Sequence, residues 1–226
     1  MFWSKFIVIW LKMLFLICFI SISYLIFYYK QHILLEIKNN KKTYLILLVI
    51  FLIGLGGRLF FMMDSYFIID DQIDFSIKAL EISNTNTYVF QRKAPSYPVL
   101  ISLFQPLTRF DFSPGVFLSA ILGGLSIISL FIFVLLLTKN SKTALLSSLV
   151  IAFFPIHFRM SNINEPYISA IFFVSLGLII GILGIKEKSY LLLILSSTLL
   201  ALSVQFYILE IFFTFSLLFY IIILKE

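Results

Sequence analysis

Charge and cysteine are both scarce in this chain. Only 12% of its 226 residues are charged, whereas 61% are apolar, and a soluble domain carries about 25% charged residues. The single cysteine, Cys18, excludes an intrachain disulfide and a cysteine-based metal site. This composition excludes a two-domain cytosolic enzyme.

Long, unbroken apolar runs take the place of the missing polar residues. A helix needs about 20 mostly apolar residues to cross a bilayer, and the strands of a membrane β-barrel would alternate apolar with polar residues. The sequence therefore predicts an all-α, polytopic membrane protein with about seven transmembrane helices. The predicted spans are Phe6–Tyr29, Tyr44–Met63, Pro114–Leu137, Thr143–His157, Tyr167–Ile185, Tyr190–Val204 and Ile208–Leu224.

The net charge of +6 comes largely from the loops between these runs. Basic residues accumulate in the cytoplasmic loops of membrane proteins, so no nucleic-acid partner is expected. Nine of the 17 basic residues lie in alternate connections and at the end of the chain: Lys30, Lys38, Lys41, Lys42, Lys139, Lys142, Lys186, Lys188 and Lys225. These connections are predicted to face the cytoplasm of a multi-pass plasma-membrane protein, with the N-terminus outside.

Two parts of the chain are distinguished by this pattern. Residues 1–43 are predicted to form an extra N-terminal span and its cytoplasmic loop, because no small-residue cleavage site follows the first run. Residues 44–226 are predicted to form the main transmembrane domain. Within it, the outer loop 64–112 carries six of the 11 acidic residues.

The outer loop is predicted to contain two helices lying in the membrane interface. Charged residues at i, i+4 and i+7 from Asp74 predict a helix over Gln72–Ser83 with a narrow charged stripe. The same residues also alternate with period two, so a strand is the alternative. We favour the helix, because an open strand edge has no partner at membrane depth. Val99–Leu107 is the second predicted interfacial helix.

Three ionisable residues lie at or near the ends of predicted spans. Arg58 belongs to the second span, Glu165 precedes the fifth and Glu210 begins the last. Charged groups at membrane depth are costly unless they face a partner or a wet cavity, so each is a candidate functional residue.

Other polar residues have structural explanations that compete with functional ones. Asp71 and Asp74 have the spacing of an N-cap and its capping-box partner. Arg92 and Lys93 have the character of side chains that reach towards lipid headgroups. His157, at the end of a predicted span, is expected to be an interfacial residue.

A set of short motifs occurs in a recognisable order along the chain. The motifs are Arg58 at the end of a span, Asp71-x-x-x-Phe75-x-x-x-Ala79, Tyr88-Val89-Phe90, Pro95-x-Tyr97-Pro98, Gly123-Gly124, Phe154-Pro155 and Asn164-Glu165. This order resembles the polyprenyl-phosphate-sugar-dependent glycosyltransferases of the GT-C superfamily, in particular the protein-mannosyltransferase-like and lipid A arabinosyltransferase-like branch. The resemblance covers residues 44–226.

The resemblance implies transfer of a sugar from a polyprenyl-phosphate-linked donor to a lipid, glycan or protein acceptor on the extracytoplasmic side. It implies that Asp71 is the catalytic base, with Asp70 as the alternative. Glu165 matches a second acidic position that assists acceptor binding or a divalent metal, although the sequence predicts no metal-ligand set. The residues assigned to the donor phosphate or the substrate are Arg58, Arg92, Lys93, Tyr97 and Arg159.

A polytopic transporter or a non-catalytic membrane scaffold is the alternative class. Transporters tend to show internal repeats and helices interrupted near the midplane. The prolines here cluster at the predicted outer edge instead, which favours the transferase. Because members of the family run longer, the chain is expected to be incomplete at its C-terminus and to show weak or no transfer alone.

Overall fold

The computed structural model describes residues 2–62, 70–88, 95–105 and 113–207. The regular elements in these ranges are all α-helices, as the sequence predicts. They are α1 (Phe2–Tyr28), α2 (Lys30–Asn39), α3 (Lys41–Phe61), α4 (Asp70–Thr85), α5 (Ser96–Phe104), α6 (Ser113–Thr138), α7 (Ser141–Phe153), α8 (Pro155–Met160), α9 (Tyr167–Lys186) and α10 (Tyr190–Phe206).

Four of these helices are long and apolar enough to cross a membrane. They are α1, α3, α6 and α9, whereas α7 and α10 are apolar but shorter. The predicted span Ile208–Leu224, which includes Glu210, lies outside the described residues. The chain is therefore an integral membrane protein with all-helical described regions, and the predicted count of seven spans is not confirmed.

The predicted span Thr143–His157 is wrong as a continuous helix. Helix α7 ends at Phe153, Phe154 is extended with ψ of 116°, and Pro155 begins α8. Proline lacks a backbone N–H and disfavours helical geometry in the preceding residue, so the helix stops there. The polar residues after the break therefore belong to a separate short helix.

The helix predicted over Gln72–Ser83 is confirmed, and the strand alternative is excluded by α4. Its charged stripe is nevertheless not a solvated face. Lys78 is buried and forms an ion pair of 2.6 Å with Asp74. Ile77 and Leu80 are exposed instead, so the helix turns part of its apolar surface outward.

The second predicted interfacial helix is displaced and covered by protein. Helix α5 begins at Ser96 and ends at Phe104, whereas the sequence predicts a helix over Val99–Leu107. Every residue from Ser96 to Ser102 is buried, because α5 packs against α1, α4, α6 and α10. It is a core element of the fold.

Aromatic side chains tie the N-terminal helix to the rest of the bundle. The Phe15 ring of α1 lies 6.0 Å from Phe173 of α9 and 5.9 Å from Phe206 of α10, centroid to centroid. Such ring pairs add about 0.5–1.5 kcal/mol beyond the area they bury. Helix α1 thus shares the main core.

The lysine-rich connections lie at one end of the bundle. The Lys186 ammonium at the end of α9 donates to the Leu136 carbonyl near the end of α6, at 3.4 Å. Burial and the nearby Glu187 carboxylate raise the pKa of the Tyr29 phenol, so the α1–α2 connection lies beside the α9–α10 turn. The predicted grouping of these connections on one membrane face is therefore supported by direct contacts.

The other end of the bundle carries α4 and the start of α1. The Lys12 ammonium donates to the Asn86 side-chain oxygen at 2.7 Å. The N-terminal part of α1 thus lies on the same face as the end of α4, opposite the lysine-rich connections.

Cysteine labelling tests which compartment each face meets. In a Cys18→Ala background, Asn84→Cys is expected to react with a membrane-impermeant maleimide in intact cells, because Asn84 is exposed on the predicted outer face. The matched variant Lys142→Cys, exposed at the start of α7, should react only after permeabilisation. The reverse pattern would invert the predicted topology.

Candidate functional site

A buried hydrogen-bond network joins four segments at the predicted outer face. The Tyr97 hydroxyl on α5 donates to the Asn164 side-chain oxygen at 2.9 Å and lies 3.2 Å from the Ser119 hydroxyl on α6. The Asn164 amide nitrogen donates to the Ser76 hydroxyl on α4 at 2.8 Å. Asn164 thereby fixes α4 relative to the turn that precedes α9.

The space occupied by the Asn164 amide depends on a glycine. A Cβ added to Gly115 of α6 would overlap the Asn164 side chain. Any residue other than glycine at this position would therefore displace the amide from its partners Tyr97 and Ser76.

The Tyr97 phenol is held in its protonated form. Burial raises its pKa well above the ordinary value, and the nearby Glu165 carboxylate raises it further, while the hydrogen bond with Ser119 acts in the opposite direction. A protonated phenol has a hydrogen to donate, which matches its bond to the Asn164 carbonyl oxygen. Tyr97 and Glu165, both predicted site residues, are therefore close in space.

The candidate bases Asp70 and Asp71 lie in the first turn of α4. Phe75 and Ala79, at the spacing that the motif required, are both buried, and the Phe75 ring lies 5.1 Å from that of Tyr97. Residues four apart share a helix face. Asp71 therefore precedes Phe75 by about one turn of α4.

Arg58 is fully buried and its guanidinium is directed at backbone carbonyls. Nη1 donates to the Gly54 oxygen at 2.7 Å and to the Ala152 oxygen at 3.2 Å. Nη2 lies 3.3 Å from the Ile151 oxygen and 2.9 Å from Nδ1 of His157. Since a guanidinium has no acceptor, Nδ1 of His157 accepts this bond and that nitrogen carries no proton.

These contacts explain how the break at Phe154 is tolerated. The last carbonyls of a helix have no partner within the helix, and Arg58 binds two of those at the end of α7. Its guanidinium also lies 5.2 Å from the centroid of the Phe158 ring. Arg58 therefore joins α3 to both halves of the broken helix.

Arg58 lies deeper in the bundle than the Tyr97–Asn164 network. A Cβ on Gly123 of α6 would lie 3.1 Å from Nε of Arg58, whereas Gly115 of the same helix adjoins Asn164. Eight residues of α-helix separate these two glycines, a distance of about 12 Å.

The remaining predicted cations are not part of the described network. Arg159 is exposed on α8, and Arg92 and Lys93 lie outside the described residues. Within the described parts of the chain, no three His, Cys, Asp or Glu side chains are grouped to hold a metal ion. Binding of the donor phosphate by these cations stays a prediction.

Sequence reasoning missed the partners that organise this region. Asn164 was recognised as the neighbour of Glu165 but not as a hydrogen-bonding centre, and Ser76 and Ser119 gave no signal. His157, expected to be an interfacial residue at the end of a span, is buried against Arg58. The sequence offered one signal for this contact, which is an arginine within a span, Arg58, together with a histidine that follows the Phe154-Pro155 break. The two residues were not connected by sequence reasoning.

Alanine substitutions at two separate glycines test the packing around Asn164. Gly115→Ala is expected to lower the free energy of unfolding by about 1–3 kcal/mol, because it displaces an amide whose buried partners then lose their bonds. Gly56→Ala is the matched control, since nothing lies within 4 Å of its added Cβ, and it should stabilise α3 by about 0.5–1 kcal/mol. Thermal unfolding in detergent measures both, and equal melting temperatures for the two variants would contradict the packing.

Comparison with known proteins identifies the family to which the chain belongs. A family model described as dolichyl-phosphate-mannose-protein mannosyltransferase matches residues 92–226. The match covers more than half of the chain and includes Tyr97, Asn164 and Glu165. No curated protein and no solved structure matches the chain. The chain therefore belongs to the dolichyl-phosphate-mannose-protein mannosyltransferase family, a group of membrane glycosyltransferases within the GT-C superfamily.

Proposed function

We propose that the protein moves a sugar from a polyprenyl-phosphate donor to a lipid, glycan or protein acceptor at the extracytoplasmic face of the plasma membrane. The observation that carries this proposal is the family match over residues 92–226, which includes the network of Tyr97 and Asn164 and the adjacent Glu165. This network lies at the end of the bundle opposite the lysine-rich connections.

Asp71 is the proposed catalytic base, and Asp70 is the alternative. A base must come within about 2.6–3.2 Å of the acceptor hydroxyl to take its proton as the glycosidic bond breaks. The register of α4 supports Asp71, because Phe75 one turn later packs on Tyr97.

The hydrogen bond between Asn164 and Ser76 would give the site its rigidity. It ties the helix that carries Asp70 and Asp71 to the turn that carries Glu165. Catalytic groups need support from locked neighbours to hold a productive geometry. Glu165, half-buried and close to Tyr97, is proposed to bind the acceptor, or a divalent metal where one is used.

The donor needs both a cationic contact and an apolar path. Negative charge grows on the departing phosphate, which arginine binds well through its planar fork, and Arg92, Lys93 and Arg159 are proposed for this role. An open groove of about 880 Å³ lies along α6, α7, α8 and α9 and is lined mainly by apolar side chains. Its lining suits a prenyl chain.

A transfer assay in proteoliposomes tests the proposal. The purified chain is incubated with a panel of polyprenyl-phosphate-linked sugars and candidate acceptors, with sugar-free polyprenyl phosphate as the control. We expect a sugar-linked donor to bind in preference to the sugar-free lipid. Release of polyprenyl phosphate is expected to be weak for this chain alone and to depend on the linked sugar. Failure of every donor to react and to bind in competition with the sugar-free lipid would contradict the proposal.

A further inference from the structure

We propose that α2 is an interfacial anchor that binds a membrane surface containing anionic lipids. This inference concerns the face of the bundle opposite the candidate site and is independent of the proposed function.

The position of α2 follows from the helices that it connects. Helix α1 packs against α5 and α10, whereas α3 packs against α6 and α7. Both reach the lysine-bearing face, and α2 contacts mainly the ends of these two helices. A ten-residue helix is about 15 Å long. Helix α2 therefore bridges two separate parts of the bundle across the membrane face.

The apolar side chains of α2 are not covered by protein. Leu34 and Leu35 are 54% and 57% exposed, and Ile37 is 37% exposed. Leu34 and Ile37, three residues apart, share one helix face. Phe27 and Tyr28, just before α2, are also largely exposed, as expected of aromatic residues at a membrane boundary. Lipid at this boundary would cover the exposed apolar side chains of α2 and those of Phe27 and Tyr28.

The charge around α2 specifies the kind of lipid. Segments 30–42, 139–142 and 186–188 together contain eight lysines and two glutamates. Of the two, Glu36 accepts a hydrogen bond from the Asn40 amide at 2.8 Å, and Glu187 lies near the Tyr29 hydroxyl. The lysines within and beside α2 are all exposed: Lys30, Lys38, Lys41 and Lys42.

A membrane surface with anionic lipids can contact both the exposed apolar side chains and the lysines of α2. Leucine and isoleucine side chains enter the boundary between headgroups and acyl chains, while lysines extend their ammonium groups to anionic headgroups. An acidic soluble protein would complement the lysines but would leave Leu34 and Ile37 without a matching apolar surface. The geometry therefore favours lipid.

Fluorescence quenching of labelled α2 tests this anchor in the full chain. In a Cys18→Ala background, an environment-sensitive fluorophore is attached to Leu34→Cys or to Asn39→Cys, an exposed position about 140° around the helix from Leu34. Each protein is reconstituted in phosphatidylcholine vesicles with or without phosphatidylglycerol. We expect acrylamide to quench the label at position 34 several-fold less than the label at position 39, and phosphatidylglycerol to increase that protection at low salt.

Lysine-to-glutamine variants distinguish binding of α2 to anionic lipid from burial of its apolar side chains alone. Each lysine near an anionic surface contributes about a fivefold preference for it. The variant with Lys30, Lys38, Lys41 and Lys42 changed to Gln is therefore expected to lose the phosphatidylglycerol increment. Lys139→Gln with Lys142→Gln is the control outside α2 and should keep more of the increment than the fourfold variant. Equal quenching at positions 34 and 39, or an increment that survives the fourfold variant, would overturn the proposal.

Discussion

Replacing Asp71 with asparagine is expected to reduce sugar transfer by about 10²- to 10⁴-fold, the contribution typical of a general base. Asparagine keeps the size of the side chain and removes its basicity. Donor binding and membrane insertion should therefore remain close to wild type. The measurement is the rate of product formation at saturating donor, together with the donor affinity of the same protein.

Two neighbouring carboxylates provide the controls for this result. Asp70→Asn should have a small effect if Asp71 is the base. Asp74→Asn should change transfer mildly but lower thermal stability, because Asp74 pairs with the buried Lys78 and removing one partner leaves a buried charge. If Asp70→Asn abolished transfer and Asp71→Asn did not, the base would be Asp70. Full activity of both variants would refute a base in this pair.

Features set by local composition could be predicted from the sequence. The spans α1, α3, α6 and α9 follow from continuous apolar runs, because bilayer thickness fixes their length. The helix over Gln72–Ser83 was also predictable, since an exposed strand edge would leave backbone groups unpaired. The break at Phe154 was missed because hydrophobicity continues across Pro155, although the proline alone was sufficient to predict it.

Features set by contacts between distant segments could not be predicted. Tyr97 and Glu165 were chosen through a resemblance, yet Asn164, which lies beside both, is bonded to Ser76 from a segment 88 positions earlier. A serine within a helix gives no indication of its partner. The same limit applied to the buried face of α4, where Lys78 was assigned to a charged surface stripe.

Arg58→Met is the substitution expected to destabilise the fold most. It removes the donor that binds the carbonyl oxygens of Ala152 and Ile151 and Nδ1 of His157. Each buried acceptor left without a donor costs about 1–3 kcal/mol, so the free energy of unfolding should fall by roughly 3–5 kcal/mol. Arg58→Lys should recover part of this loss, because one ammonium cannot reproduce the planar spread of a guanidinium.

The same variants separate the two roles open to Arg58. The resemblance assigned it to the donor phosphate, whereas its guanidinium contacts the broken helix α7–α8. A structural role predicts a lower melting temperature in detergent for Arg58→Met with an unchanged KM for the donor in the folded fraction. Arg159→Met is the matched control: Arg159 is exposed on α8, and a surface substitution changes stability by about 0.5 kcal/mol or less. If Arg58→Met melted at the wild-type temperature and had a raised KM for the donor, Arg58 would be assigned to the phosphate site. The carbonyl groups at the break near Phe154 would then have to be stabilised by other residues.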